Sequence, residues 1–123
     1  MADIIYEELS FQVMSAAFEV HNLLGGGFLE KVYENALVRE FGIRNIPVET
    51  QKEISVSYKD ESVGVYYADI LVDGKIIIEL KAVDKLSKLH EAQLLNYLKA
   101  TGIKLGILIN MGGKSVEHKR FAL

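Results

Sequence analysis

The segment Ala68-Asp69-Ile70-Leu71-Val72-Asp73-Gly74-Lys75-Ile76-Ile77-Ile78-Glu79-Leu80-Lys81 limits what this chain can fold into. Two apolar runs flank Asp73-Gly74, a pair suited to the left-handed backbone of a tight hairpin turn. Both runs are apolar enough to be buried strands, yet they carry Asp69, Glu79 and Lys81. A buried, unpaired charge costs several kcal/mol, a large share of the roughly 5–15 kcal/mol by which a domain is stable. The three groups must therefore pair with one another or hold an ion.

Loop length decides whether the two acids can cooperate. A two-residue loop pairs Val72 with Lys75 and sends Asp69 and Glu79 to opposite faces. A three-residue loop with Gly74 left-handed pairs Leu71 with Lys75. Asp69 then pairs with Ile77, and Glu79 lies diagonal to Asp69 on the same face, roughly 7–8 Å away at Cα. The odd loop is expected, because the even one scatters the charges over both faces. Glu79 and Lys81 share a face in either case, being two apart on one strand.

The rest of the chain supplies helices and further strands. Apolar residues from Ile5 to Leu24 recur at three- and four-residue steps and predict a helix over Ile4 to Leu24. Gly25-Gly26-Gly27 ends it and lets the backbone approach another group closely. A second helix is expected from Leu29 to Phe41, with Val32, Ala36, Leu37 and Phe41 as its apolar stripe and Glu30, Tyr33 and Glu34 beside it. Strands follow over Val48–Tyr58, Ser62–Val72 and Lys75–Val83, with a turn at Lys59-Asp60-Glu61. Ser87 suits the N-cap of a helix reaching Thr101, where Gly102 ends it. Lys104–Asn110 and Val116–Ala122 read as a buried strand and an edge strand. The order α-α-β-β-β-α-β-β predicts an α/β (α+β) fold in one domain over residues 1–123. In it an antiparallel meander of three strands leads through a right-handed crossover to a parallel fourth. The sheet is mixed and flanked by helices.

Composition removes several function classes. Cysteine is absent, so there is no disulfide framework and no thiolate site for zinc or redox work. The start of the chain, soon acidic, does not read as a signal peptide. No apolar run approaches the ~20 residues of a membrane span, so a cytoplasmic protein with no membrane partner is expected. Net charge is −3, but it is unevenly spread. Up to Gly74 there are 5 Lys and Arg against 13 Asp and Glu; from Lys75 onward there are 9 against 4. A basic second half can track a phosphate backbone, although Lys-rich surface is also ordinary solvation.

The residues themselves suggest a chemistry. Carboxylates are the hard oxygen ligands that Mg²⁺ prefers, and a nearby ammonium can steady an anion or a water. Two adjacent carboxylates repel, which raises their affinity for a divalent cation. This is the equipment of metal-dependent phosphodiester hydrolysis. The competing reading is an ion pair between Lys81 and one of the acids.

These residues carry a resemblance. Asp69 followed by Glu79-Leu80-Lys81 resembles the D…ExK signature of the PD-(D/E)XK nuclease superfamily, and the element order is similar to its restriction-endonuclease-like α-β-β-β-α-β core. Gly27-Phe28-Leu29-Glu30-Lys31-Val32-Tyr33 matches the GxxExxY motif of a small bacterial family within it, and Ala68-Asp69-Ile70-Leu71, Glu79-Leu80-Lys81-Ala82 and the run His90–Leu98 are similar to that family too. Ala68 stands where the signature has its proline, which contributes no ligand. The resemblance implies Mg²⁺ or Mn²⁺ as cofactor, Glu30, Asp69 and Glu79 as metal ligands, and Asp69, Glu79, Lys81 and Gln93 as the catalytic set. It implies substrate contacts from Tyr33, Tyr97 and Lys85; Gln93 and Tyr97 are similar to a QxxxY element, four apart on one helical face. The bland alternatives are a solvated Glu30, a core Tyr33, a polar stripe at Gln93 and Tyr97, and a solvated loop lysine at Lys85. Glu34 ranks below these, His90 reads as a surface or capping residue, and His21 and His118 have no assigned role.

The implied partner is nucleic acid, DNA first, and a homodimer is compatible, since relatives that cut branched DNA need two active sites. Two other readings stand beside the nuclease: a non-catalytic nucleic-acid-binding or protein-interaction module that keeps the fold, and a structural homodimer whose charges are incidental.

Overall fold

The computed structural model describes residues 5–123. The expected helix start at Ile4 lies outside the described residues. The elements are α1 (Glu7–Leu24), α2 (Glu30–Ile43), β1 (Val48–Tyr58), β2 (Glu61–Val72), β3 (Ile76–Lys81), α3 (Lys88–Thr101), β4 (Leu105–Asn110) and β5 (Glu117–Ala122). They form one mixed five-stranded sheet in the order β1-β2-β3-β4-β5, antiparallel except for the parallel pair β3–β4. The meander, the parallel crossover through α3 and the edge position of β5 agree with the expectation.

Each helix end has a local cause. Gly25, with φ 71°, ends α1 by donating its N–H to the His21 carbonyl. Ser87 caps α3: its hydroxyl accepts from the His90 N–H, while His90 Nδ1 accepts from the Ser87 N–H. His90 is therefore a capping residue. Gly102, with φ 75°, closes the other end of α3.

The helices cover both faces of the sheet. Val13, Ala16, Ala17 and Val20 of α1 and Tyr33, Leu37 and Phe41 of α2 pack on Ile70, Val72, Ile76, Ile78, Leu80 and their neighbours in β4. Leu94, Tyr97 and Leu98 of α3 pack on Leu71, Ile77 and Leu108 from the other side. β4 is buried throughout and β3 up to its last residue, as expected of strands sandwiched between helical layers. The stripe expected on α2 needs correction. Val32 is exposed, and the buried row is Tyr33, Glu34, Leu37 and Phe41.

β1 and β2 pair over almost their whole length, but β3 meets β2 only at Ile70↔Ile78, Leu71↔Ile77 and Val72↔Ile76. Beyond Ile70 the two long strands leave the sheet as a two-stranded ribbon. Its tip is a two-residue turn at Lys59 (φ 48°) and Asp60 (φ 70°), so Glu61 belongs to the strand rather than to the turn.

The exit of β3 is clamped. The Met111 N–H donates to the Lys81 carbonyl, and the Asn110 side chain engages both the N–H and the C=O of Val83. Gly112 lies so close that a Cβ there would stand 2.4 Å from the Val83 carbonyl oxygen and 2.6 Å from its nitrogen. Both neighbours are backbone and have little room to yield. Gly42, inside α2, has nothing within 4 Å of its virtual Cβ. Gly112→Ala is therefore expected to lower stability by about 2 kcal/mol or more, through overpacking. Gly42→Ala should raise it by about 1 kcal/mol, through helix propensity. Urea unfolding of the two variants checks the pair of opposite signs.

Candidate functional site

The site begins at the hairpin. The Lys75 N–H donates to the Val72 carbonyl (2.9 Å), and Asp73 (φ 49°) and Gly74 (φ 66°) are both left-handed. Pairing resumes at Val72↔Ile76, with Lys75 outside it. The loop is thus odd, as expected, but its register lies one residue along on each strand. Continuing that register sets Asp69 directly across from Glu79, not diagonal to it as expected from the sequence.

The main-chain ladder stops at this point, and side chains take its place. Asp69 Oδ2 accepts from the Leu80 N–H (2.8 Å), and Glu79 Oε1 accepts from the Asp69 N–H (3.2 Å). Each carboxylate therefore satisfies a backbone donor that the parting strands leave unpaired. Each also keeps one oxygen beyond that bond, Asp69 Oδ1 and Glu79 Oε2.

The fork admits groups from both helical layers. From α2, Glu34 is buried and accepts from Gln51 Nε2 (2.7 Å) and Lys31 Nζ (2.6 Å). Gln51 also reaches Asp69 Oδ1 at 3.4 Å. Its φ of 51° puts a non-glycine residue in the left-handed region in the middle of β1, between the pairs Thr50↔Ile70 and Lys52↔Ala68. Such a conformation costs of order 1–3 kcal/mol and persists where its surroundings impose it. From α3, Tyr97 comes within reach of the charges of the acids, with Gln93 beside it. Burial first, then the charges of Glu79 and Asp69, push the Tyr97 phenol up to about 12, while the Gln93 amide acts the other way.

Electrostatics set the character of the pair. Burial first, then the Asp69 charge, push the Glu79 carboxyl up to about 8; Lys81 opposes this and Glu30 adds to it. Asp69 is also raised, by burial first and by Glu34, against the hydrogen bond from the Leu80 N–H. The Lys81 ammonium does not overcome these effects. Among the described residues no salt bridge joins it to either acid. The alternative of a simple Lys81–carboxylate ion pair is thus absent.

The other expected residues divide. Glu30, in the first turn of α2, is exposed and reaches Glu79 through its charge. Among the described residues, no group of three or more His, Cys, Asp or Glu stands ready to hold a metal, so Glu30 completes no three-acid cluster here. Tyr33 corrects its expectation. Its ring is fully buried, and its hydroxyl donates to the Gly25 carbonyl (2.7 Å) and accepts from the Phe28 N–H (3.2 Å), so it clasps the glycine turn rather than facing a substrate. Lys85 is exposed beyond the β3 exit, where its charge acts on Glu117. His21 is buried, with Nε2 3.0 Å from the Gly113 carbonyl. Gly26 also packs on the same loop, where an added Cβ would stand 2.8 Å from the Gly113 carbonyl oxygen, the close approach anticipated for the glycine turn. Sequence reasoning missed Gln51 altogether and undervalued Glu34. The only signal was the weak apolar alternation of Val48-Glu49-Thr50-Gln51-Lys52.

Residues 7–121 match the family profile of the PD-(D/E)XK nuclease superfamily. The chain belongs to that superfamily. The crystal structure of SSO0001 is similar, with a TM-score of 0.51 and 18% sequence identity, covering 98% of this chain and 78% of that one; this likeness speaks for the fold alone. No curated protein matches. Nucleases of the superfamily generally use divalent metals, and the donor set here fits one. Two hard carboxylates face each other, each with a second oxygen not taken by its backbone bond, and among the described residues no ion pair offsets their mutual repulsion. Mg²⁺ is commonly held by one or two carboxylates, with waters completing its shell. No helix among the described residues is long and apolar enough to cross a membrane.

A pH dependence follows from the raised carboxyl. Unfolded, Glu79 ionises near 4.5; folded, near 8. Between these values the unfolded chain has lost a proton that the folded one keeps, so stability falls as pH rises and levels off above 8. The shift corresponds to something on the order of 5 kcal/mol. In chelator, Glu79→Gln should therefore be more stable than the wild type by a margin that widens from pH 5 to pH 8. Denaturant melts across that range check it; a margin independent of pH would mean that Glu79 is not held protonated.

Proposed function

We propose that this protein is a Mg²⁺- or Mn²⁺-dependent nuclease that hydrolyses phosphodiester bonds of nucleic acid, DNA first, and that it belongs to the GxxExxY branch of the superfamily. The observation that carries the reading is the pair Asp69 and Glu79, face to face at the sheet's fork, beside an ammonium committed to neither. Asp69 and Glu79 would hold the ion, with Glu30 the nearby third acid. When bound, the ion supplies Lewis-acid polarisation of the phosphoryl oxygens and an acidified water.

The chain's own groups have distinct tasks. Lys81, on the same face as Glu79, stabilises the negative charge that builds on the attacked phosphate. Tyr97 stays a neutral O–H donor at physiological pH and suits a phosphate oxygen. Gln93 orients the attacking water or the Lys81 ammonium. Gln51 and Glu34 position Asp69. Lys85 contributes long-range attraction for the backbone at most. The uneven charge of the chain supports a basic second half tracking the nucleic acid. A cytoplasmic location and a homodimer with two active sites fit the same reading.

One observation favours the second reading, a non-catalytic module that keeps the fold: among the described residues only two acids meet, not three. Cleavage of single-stranded, nicked and branched DNA with Mg²⁺ or Mn²⁺ separates the two. The nuclease reading expects metal-dependent products, and a loss of about a hundredfold or more in Lys81→Ala with its fold intact by circular dichroism. Absence of cleavage with either ion, or equal cleavage by Lys81→Ala, favours the module.

A further inference from the structure

Between the β1–β2 ribbon and α3 lies a cleft of about 740 Å³. One wall is the β1–β2 ribbon (Ser55, Val56, Ser57 and Tyr66); the other is the α3 face that carries Gln93 and Tyr97. Tyr97, whose phenol feels the charges of Glu79 and Asp69, links this cleft to the acids.

Three features give the cleft a chemistry. Tyr66 is 48% exposed, and its ring leans on that of the buried Tyr97, centroids 5.7 Å apart at 45°. Tyr66 is thus held in place while much of its surface stays open. Next, Ser55 and Ser57, two apart on β1, bring two hydroxyl side chains to the cleft wall. Opposite them, the register shift between Val56 and Ser57 leaves Val63 of β2 as the extra residue, a β-bulge that strengthens the twist of the ribbon there. Finally, no lining residue is a carboxylate, although the chain as a whole is acidic, and Lys99 stands at the rim. An aromatic face, neutral hydrogen-bonding groups and one peripheral cation suit a nucleobase with its phosphate outward. The volume is that of a small-molecule site and admits a nucleotide, not a duplex.

We infer that this cleft is a base-stacking subsite in which Tyr66, braced by Tyr97, takes one unpaired nucleobase of the strand whose phosphodiester lies at Asp69 and Glu79. The inference rests on the nuclease reading for the direction of that strand. It adds a preference that the acids alone do not give: substrates with an unpaired base next to the cut bind better than continuous duplex.

The test is 2-aminopurine fluorescence in a single-stranded oligonucleotide and in the blunt duplex of the same sequence. The full chain is used with Ca²⁺, another oxygen-seeking ion, in place of Mg²⁺. The expected result is quenching on the single strand, tighter binding of it than of the duplex, and a loss of about five- to a hundredfold in Tyr66→Ala. Tyr66→Phe, which keeps the ring, should bind within about twofold of wild type, and since Tyr66 is half-exposed both variants should fold. Equal quenching and affinity in wild type and Tyr66→Ala, or equal affinity for strand and duplex, overturns the subsite. The two readings fail separately. Tyr66-dependent quenching in a protein that never cleaves leaves the subsite and removes the nuclease. Cleavage that needs Lys81 but is indifferent to Tyr66, without quenching, removes the subsite alone.

Discussion

Where β2 and β3 part, two carboxylates take over hydrogen bonds that backbone carbonyls would otherwise accept. The Leu80 N–H goes to Asp69 and the Asp69 N–H to Glu79, so the ladder between the two strands ends without leaving these donors orphaned. This substitution lets the β1–β2 ribbon peel away. It also brings two like charges together inside the fold. If the ladder continued by one more pair, the main chain would satisfy itself and the carboxylates would be mere buried liabilities. The fork and the acids therefore depend on each other.

The cost is real. A carboxyl moved from 4.5 to about 8 represents a penalty on the order of 5 kcal/mol for its charged form, comparable with the whole stability of a small domain. Hydrogen bonds and the Lys81 charge offset part of it, and burial and repulsion outweigh them. At neutral pH the pair must therefore hold something, a proton or a cation. Gln51 adds strain of its own, its left-handed backbone aiming an amide at both Glu34 and Asp69. Strain and like charge gathered at one fork, in a fold otherwise assembled by simple layering, mark the place where structure yields to function.

Much of this was legible in the chain. Strict parity in strands meant that an odd loop alone would unite Asp69 and Glu79, and the charges themselves argued for it. Ser87, Gly25 and Gly102 marked helix ends because each supplies a cap or a left-handed backbone. The exact register was not legible, because Asp73-Gly74 fits several turns and Lys75 could stand in or out of the ladder. The buried side of α2 was misjudged because Glu34 reads as polar; only the partners Gln51 and Lys31, one of them far along the chain, make its burial affordable. Gln51 and Tyr66 were invisible for the same reason. Their roles come from what the ribbon brings near α2 and α3, and nothing in their neighbours along the chain announces it.

The function proposed for this fork requires Asp69 and Glu79 to share a divalent cation. Crystals grown with saturating Mn²⁺ and measured at the manganese absorption edge test it most directly. The dominant anomalous peak should lie within coordinating reach of oxygens from both carboxylates. A pair that stays metal-free, its carboxyls bonded to each other through a retained proton while manganese sits elsewhere or nowhere, would contradict it.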